Sequence, residues 1–257
     1  MKFKRLLHII ILFAILCLPA LSFASNQAQE VFIKANAFYA KAQYNDALKT
    51  YKQLEDEGYQ SATLYFNMGN ASYKNGDIAP AILYYERAHK LAPGDEDINF
   101  NLKYANLKTT DKVDEAPELF LTRWWKGIIL SLPLAMLSVW SIIFVLAASG
   151  TFILYFFAGS VVIKKVSFYA ACLFLFAGVC LIFVSNRQVN YFDDHRQAII
   201  FSPSVDVKNG PVERSVTLFV IHDGTKVDLL ENNNGWLKIK LANGSEGWIQ
   251  KDAAKEI

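Results

Sequence analysis

Histidines, thiols and paired carboxylates are the residues from which chemistry could be built, and here they are few and scattered. The four histidines are His8, His89, His195 and His222. Asp193-Asp194-His195 has the residue types for a metal ion or for general acid–base work. Consecutive residues point in different directions, however, and no second histidine or carboxylate cluster joins them, so 193–195 reads as a solvated linker. His8 falls in an apolar N-terminal run, His89 on a helix and His222 at a turn, and none of them reads as a catalyst. Cys172 and Cys180 sit eight apart in an apolar run and Cys17 in another, where a thiol behaves as a small hydrophobe. Glycine-rich phosphate loops, nucleophile elbows and metal-ligand spacings do not occur. The expectation is a protein that is not an enzyme, with no catalytic residue, no metal and no cofactor.

The elements that carry these residues differ sharply along the chain. Its 257 residues are 53% hydrophobic and 19% charged, against about 45–50% and about 25% for a soluble domain. Residues 1–24 carry +3, residues 25–118 carry −4, residues 119–190 carry +5 with no acid, and residues 191–257 carry −2. The total of +2 gives no reason to expect a nucleic-acid partner. Four regions follow from this division.

Lys2, Lys4 and Arg5 precede an apolar run from Leu6 to Leu18, then Pro19 and Ser22-Phe23-Ala24. Residues 1–24 therefore read as a signal peptide, with cleavage after Ala24. An uncleaved anchor is the alternative, and either one exports the segment that follows. Cys17 lacks the neighbours of a lipoprotein cysteine.

Self-comparison shows a 34-residue period in which Phe32, Phe66 and Phe100 recur, as do Asn36 and Asn70, Tyr39 and Tyr73, Ala47 and Ala81, and Tyr51 and Tyr85. Met68-Gly69, Ala81, Tyr85, Ala88 and Pro93 fall where tetratricopeptide repeats place their packing residues. The segment 25–108 resembles such a domain, with repeats 28–61 and 62–95 and a capping helix over 96–108. The first repeat departs from the pattern, with Ala35 for the usual Gly and Leu54 for the usual Ala. The resemblance implies a concave groove lined by Phe32, Asn36, Tyr39, Phe66, Asn70, Tyr73, Phe100 and Tyr104, suited to an extended or helical peptide. Several of these aromatics could instead pack between neighbouring helices. Repeat proteins that clamp a chaperone's C-terminal carboxylate use two amides and three basic residues. Asn36 and Asn67 match the amides, but Phe32, Asp97 and Asn101 stand at the basic positions, and Asp97 would repel a carboxylate.

Between Lys126 and Lys164 lie 37 residues without charge, too many for one straight span of about 20 residues and too few for two with a loop. Pro133 and the cluster Arg123-Trp124-Trp125-Lys126 divide the block, since Trp and basic side chains prefer the headgroup level. Residues 118–132 read as an interfacial helix within a linker 109–133. The first transmembrane helix is expected over 134–159, a cytoplasmic turn over 160–166 and the second helix over 167–186. Export of residues 25–118 then leaves both flanking domains outside the cytoplasm. Neither span contains Asp, Glu or His, which disfavours ion or proton transport.

Residues 187–257 read as short strands with turn punctuation. The runs Ala198–Phe201, Thr217–Ile221, Val227–Leu230 and Trp236–Leu241 are separated by Asp223-Gly224, Asn234-Gly235 and Asn243-Gly244, which signal hairpins. Gly235-Trp236 and Gly247-Trp248, twelve residues apart, make the stretch over about 195–257 resemble the bacterial SH3-like barrel. Such modules bind cell-wall peptides or proteins through loops. Trp236 and Trp248 are read as core or rim packing, and the loop Ser202-Pro203-Ser204 as a possible binding edge.

The fold class is thus a multidomain membrane protein with an all-α tetratricopeptide-repeat domain, a two-helix transmembrane hairpin and an all-β SH3-like barrel. That order of parts, with Asp97–Leu102, Asp111-Lys112-Val113 and Pro117–Leu121 at the junction, resembles the BatE-like aerotolerance family of Bacteroides type. The resemblance implies a role in oxidative-stress tolerance in the inner membrane. It also implies partner membrane proteins with von Willebrand factor A-type domains and a MoxR-type ATPase. It brings no catalytic residues. The reading is a membrane-anchored scaffold whose repeats hold an envelope protein; the alternative is an envelope sensor whose barrel binds peptidoglycan.

Overall fold

The computed structural model describes residues 25–113 and 119–257. The expected signal segment and the junction residues Pro117 and Glu118 lie outside the described residues. The chain separates into two compact units, one ending at Tyr59 and one running from Gln60 to Ile257.

In the first unit, α1 (Ser25–Ala40) and α2 (Tyr44–Asp56) form a helical pair joined through Ala42, which sits at φ 58. The buried positions of α2 are Ala47, Thr50, Tyr51 and Leu54, whose spacing of three and four places them on one face. Ala35 and Ala47 are fully buried. Tyr51 locks the pair: its hydroxyl donates to Asn36 Oδ1 at 2.5 Å and its ring lies 5.7 Å from that of Phe32.

The second unit opens with the same joinery one period later. Helix α3 (Ala62–Asn75) starts on Ser61, whose hydroxyl accepts from the Leu64 N–H at 3.1 Å, and ends on Gly76 at φ 91. It pairs with α4 (Ile78–Leu91), from which the Tyr85 hydroxyl donates to Asn70 Oδ1 at 2.7 Å and the Tyr85 ring lies 5.9 Å from Phe66. The approach is close enough that a Cβ on Gly69 would stand 2.5 Å from the Tyr85 ring. Helix α5 (Glu96–Asn106) is capped by Asp95, which accepts from the Asp97 and Ile98 N–H groups at 3.0 Å. It buries Ile98 and Ala105 and stops two residues short of the expected 108.

After the short helix α6 (Phe120–Ile129) come α7 (Leu134–Phe157) and α8 (Val161–Asp194), both long and apolar enough to cross a membrane. They pack on small side chains: Ser141 and Ala148 of α7, and Ser167, Ala171 and Gly178 of α8, are buried, which lets the backbones approach as membrane helix pairs do. Apart from buried Leu137, most of their large apolar side chains are exposed. The chain reverses over 158–160 instead of the expected 160–166, because Val161-Val162-Ile163 join the helix and satisfy their backbone groups within it. Lys164 and Lys165 therefore lie in its first turns.

At its other end α8 continues well past 186. Residues 187–194 contain neither Gly nor Pro to break it, and Gln188 is buried with its Nε2 donating to Leu132 O at 3.0 Å. Asp193 and Asp194 are thus the last turn of a 34-residue helix, about 50 Å long, and not a linker.

The C-terminal sheet has seven strands: β1 (Gln197–Ile200), β2 (Ser204–Lys208), β3 (Thr217–His222), β4 (Lys226–Asn233), β5 (Trp236–Lys240), β6 (Glu246–Gln250) and β7 (Ala254–Glu256). Their order is β3-β2-β6-β5-β4-β1-β7, with every recorded pairing antiparallel. Ile200, Val207, Ile221, Val227, Ile239 and Ile249 form its core. Asn234-Gly235, at φ 46 and 87, and Asn243-Gly244 make the expected hairpins. Asp223-Gly224 does not, because β3 and β4 are not neighbours. Gly224 N instead donates to Ile200 O at 2.8 Å, so this turn is a corner that carries the chain from edge strand β3 to β4, beside β1.

Gly69→Ala forces the Tyr85 ring from its seat. The expected loss is about 1–3 kcal/mol for overpacking, read as a lowered melting temperature of the full chain in detergent, with Gly127→Ala, which meets nothing within 4 Å, as the unaffected control.

Candidate interaction surfaces

The residues expected to line a groove divide between packing and display. In the first unit, Phe32 and Asn36 are engaged by Tyr51, and the Tyr39 ring lies edge-on to Tyr44 at 5.3 Å. Partial burial and then the neighbouring Tyr44 raise the Tyr39 hydroxyl above its ordinary value. In the second unit, Phe66 and Asn70 are engaged by Tyr85 in the same manner. Asn70 Oδ1 also accepts from Asn101 Nδ2 at 3.3 Å, which ties α3 to α5.

Asn36 stays exposed although bonded, and the exposed aromatics of the set lie on α5. Phe100 is 68% exposed and Tyr104 47% exposed, with rings stacked at 6.4 Å, and Tyr73 lies 5.8 Å from Tyr104. Positions 100 and 104 lie one helical turn apart, so the strip runs along one face of α5.

The expected interface anchors sit on α6 and its contacts with α8. Trp124 is 59% exposed, Trp125 packs 6.3 Å from Phe183 and Lys126 lies over the Tyr191 ring at 5.7 Å. Arg123 is exposed beside them.

A second surface was not foreseen. Strand β1 of the sheet docks on α4 and α5, where Ile199 is fully buried with Ala79, Ile82, Leu83, Tyr85 and Ala105, and Phe201 and Ile257 pack around them. Polar contacts ring this apolar seat. Lys226 Nζ meets Glu86 Oε2 at 2.8 Å, on a carboxylate whose side chain is 6% exposed. Arg87 Nη2 donates to Glu256 O at 3.0 Å, while the Glu256 carboxylate takes two 2.8 Å bonds from Arg196. Those bonds, and then the nearby charge, hold Glu256 below the ordinary carboxylate range despite partial burial.

Asp111, in the stretch after α5, accepts three bonds from the sheet: His222 N at 2.6 Å, His222 Nδ1 at 2.9 Å and Thr225 Oγ1 at 2.8 Å. The Gly224 corner between them leaves no room for a side chain, since a Cβ would stand 2.8 Å from Thr109 Cγ2 and 3.3 Å from Ile82 Cδ1. His89 and His222 are thus not simple surface residues. Half-buried His89 bonds Asn99 Oδ1 at 2.7 Å, and burial lowers its pKa and favours the neutral ring. One signal for the seat stood in the sequence: Ala198-Ile199-Ile200-Phe201 is continuously apolar, the pattern of a strand covered on both faces.

Comparison with known families matches the Tetratricopeptide repeat to residues 62–95 and the Bacterial SH3 domain to residues 203–254. These are interaction modules, and no catalytic family is matched. No curated protein matches the chain. Among solved structures, the C-terminal SH3 domain of myosin IB from Entamoeba histolytica is 28% identical at a TM-score of 0.19, over 24% of this chain and 93% of that one. An NlpC/P60 family protein from Bacillus cereus is 18% identical at a TM-score of 0.21, over 28% of this chain and 23% of that one.

Burial opposes the charge on Asp111, but the bonds from His222 and Thr225 outweigh it and hold the carboxyl below 3.8. A depressed acid contributes stability that is fully present above its unfolded value and is lost as pH falls through the folded one. The melting temperature of the full chain in detergent should therefore fall as pH drops below 3.8. Asp111→Asn should cost about 1.5–3 kcal/mol at neutral pH and flatten that acid limb; an unchanged limb would contradict the assignment.

Proposed function

We propose that this chain is a membrane-anchored adaptor of the cell envelope, in which a tetratricopeptide-repeat region and an SH3-like module are held together at one face of the bilayer. The observation that carries the reading is the docking of β1 on α4 and α5. The two partners are separated in sequence by α7 and α8, and they can meet only if that hairpin returns the chain to the side it left. An exported N-terminus makes that side extracytoplasmic, with the anchor in the inner membrane. The +3 N-terminus, the aromatic and basic belt at Arg123–Lys126, and Lys164-Lys165 at the opposite end of the hairpin support that placement.

The exposed rings of Phe100 and Tyr104, with half-buried Tyr73 beside them, supply the binding face for a protein partner; Phe66 and Asn70 shape the second repeat, and Phe32 and Asn36 shape the first. The order of modules supports membership of the BatE-like aerotolerance family. The partners proposed on that basis are membrane proteins with von Willebrand factor A-type domains, within an oxidative-stress complex.

The barrel favours a second reading. With β1 committed to the repeats, the edge strand β3 at the far end of the strand order displays Leu218 and Val220, beside Val216. That edge could add a strand or hold a wall peptide. Sedimentation of the detergent-purified full chain with peptidoglycan separates the two readings.

Phe100→Ala combined with Tyr104→Ala removes the exposed rings without touching the helix pair. Co-purification of the partner from crosslinked membranes should fall at least tenfold while the melting temperature changes by no more than a few degrees. Undiminished recovery would sink the adaptor reading of this face.

A further inference from the structure

Beside the docked sheet the second unit has an open cleft of about 920 Å³, bounded by α4, α5, α6, the end of α8, and strands β1, β4, β5 and β7. Its lining holds seven Lys or Arg and four Asp or Glu. Each of the four acids already has a partner: Glu86 with Lys226, Glu256 with Arg196, Asp111 with His222 and Thr225, and Asp228 with the Gln197 amide at 2.7 Å. Lys112 is also spent, donating to three carbonyls at the end of α5. Lys90 and Lys103 are different. Both line the cleft and are exposed; neither makes a salt bridge among the described residues, although the Lys90 charge is close enough to help lower the Glu256 carboxyl. On the α6 side, Trp125, Ile129 and the following Leu130 give the lining apolar surface beside Thr122 and Lys126. Because Trp125 packs on Phe183 at the outer part of the second apolar helix, that surface lies at headgroup level in a bilayer.

We propose that this cleft binds a phosphate-bearing anion at the membrane surface, through Lys90 and Lys103 with the excess positive charge of the lining behind them. A lipid phosphodiester fits it best, its phosphate against the lysines and the start of its chains along Ile129 and Leu130. Three features fit that chemistry together: a lining with net positive charge, apolar surface from Trp125, Ile129 and Leu130, and a volume in the range of small-ligand sites. Ammonium groups capture phosphate as point charges, and basic pockets beside membrane helices hold lipid headgroups in this way. The proposal rests on α7 and α8 crossing a bilayer and is independent of any protein partner.

The test uses the full chain in detergent, titrated separately with dioleoylphosphatidylglycerol, dioleoylphosphatidylcholine and inorganic phosphate, with bound species counted by native mass spectrometry. Phosphatidylglycerol should bind at one site at least tenfold more tightly than phosphatidylcholine. Lys90→Ala combined with Lys103→Ala should weaken phosphatidylglycerol roughly 25-fold, at about fivefold per lysine, with the melting temperature and phosphatidylcholine binding unchanged. Lysine-dependent binding of phosphatidylglycerol alone assigns a lipid site, and the same dependence for inorganic phosphate alone assigns a soluble anion. Equal affinity for the two lipids, or phosphatidylglycerol and phosphate affinities that ignore both substitutions, would overturn the proposal. Flotation with pure phosphatidylcholine vesicles tests the membrane anchor separately, so loss of the anchor and absence of the site are told apart.

Discussion

The burial of Ile199 against α4 and α5 is the contact on which the architecture of the second unit depends. A helical repeat cannot cover its own apolar face, and a stack that ends abruptly leaves that face in water. Here the face is closed by a strand that arrives only after the chain has passed through two long apolar helices. Burying an isoleucine of this kind is worth about 1.5–3 kcal/mol, and the cost of bringing its two sides together is lowered by the hairpin, which already holds both ends of the intervening chain on one side.

Around that seat the polar groups set its register. A carboxylate as buried as Glu86 is costly unless it is paired, and Lys226 pairs it only when β4 lies where it does. Asp111 imposes a similar condition on the Gly224 corner, since its three bonds come from residues on either side of a turn that has no space for a Cβ. The apolar seat supplies affinity and the ionic rim supplies position. The same closure shapes the cleft beside it, where the lining acids are consumed by these pairs and a cationic surplus remains.

The repeats show how one residue pattern can be mistaken for another. Phe32, Asn36 and Tyr51, and their counterparts Phe66, Asn70 and Tyr85, recur because each trio locks a helix pair through a hydroxyl–amide bond and an aromatic contact. Periodicity marks such internal joints as strongly as it marks a binding face, and Asn36 can serve as both, since it is bonded to Tyr51 and still exposed. The aromatics left for display, Phe100 and Tyr104, are distinguished by exposure, which a linear pattern does not carry.

Local chemistry was legible in the residues themselves: the 34-residue period, the apolar block divided at Pro133, the Asn-Gly hairpins, and the Trp and basic belt at 123–126. Each of these depends on interactions between near neighbours, whether helical spacing, turn conformation or transfer of an apolar stretch from water. The continuation of α8 to Asp194, the conversion of Asp223-Gly224 from a hairpin to a docking corner, the seat of Ile199 and the cleft beside it were settled by folding in three dimensions. All four turn on contacts between segments far apart in the chain, and the energy of such contacts depends on where the backbone has been carried, which residue type alone does not encode.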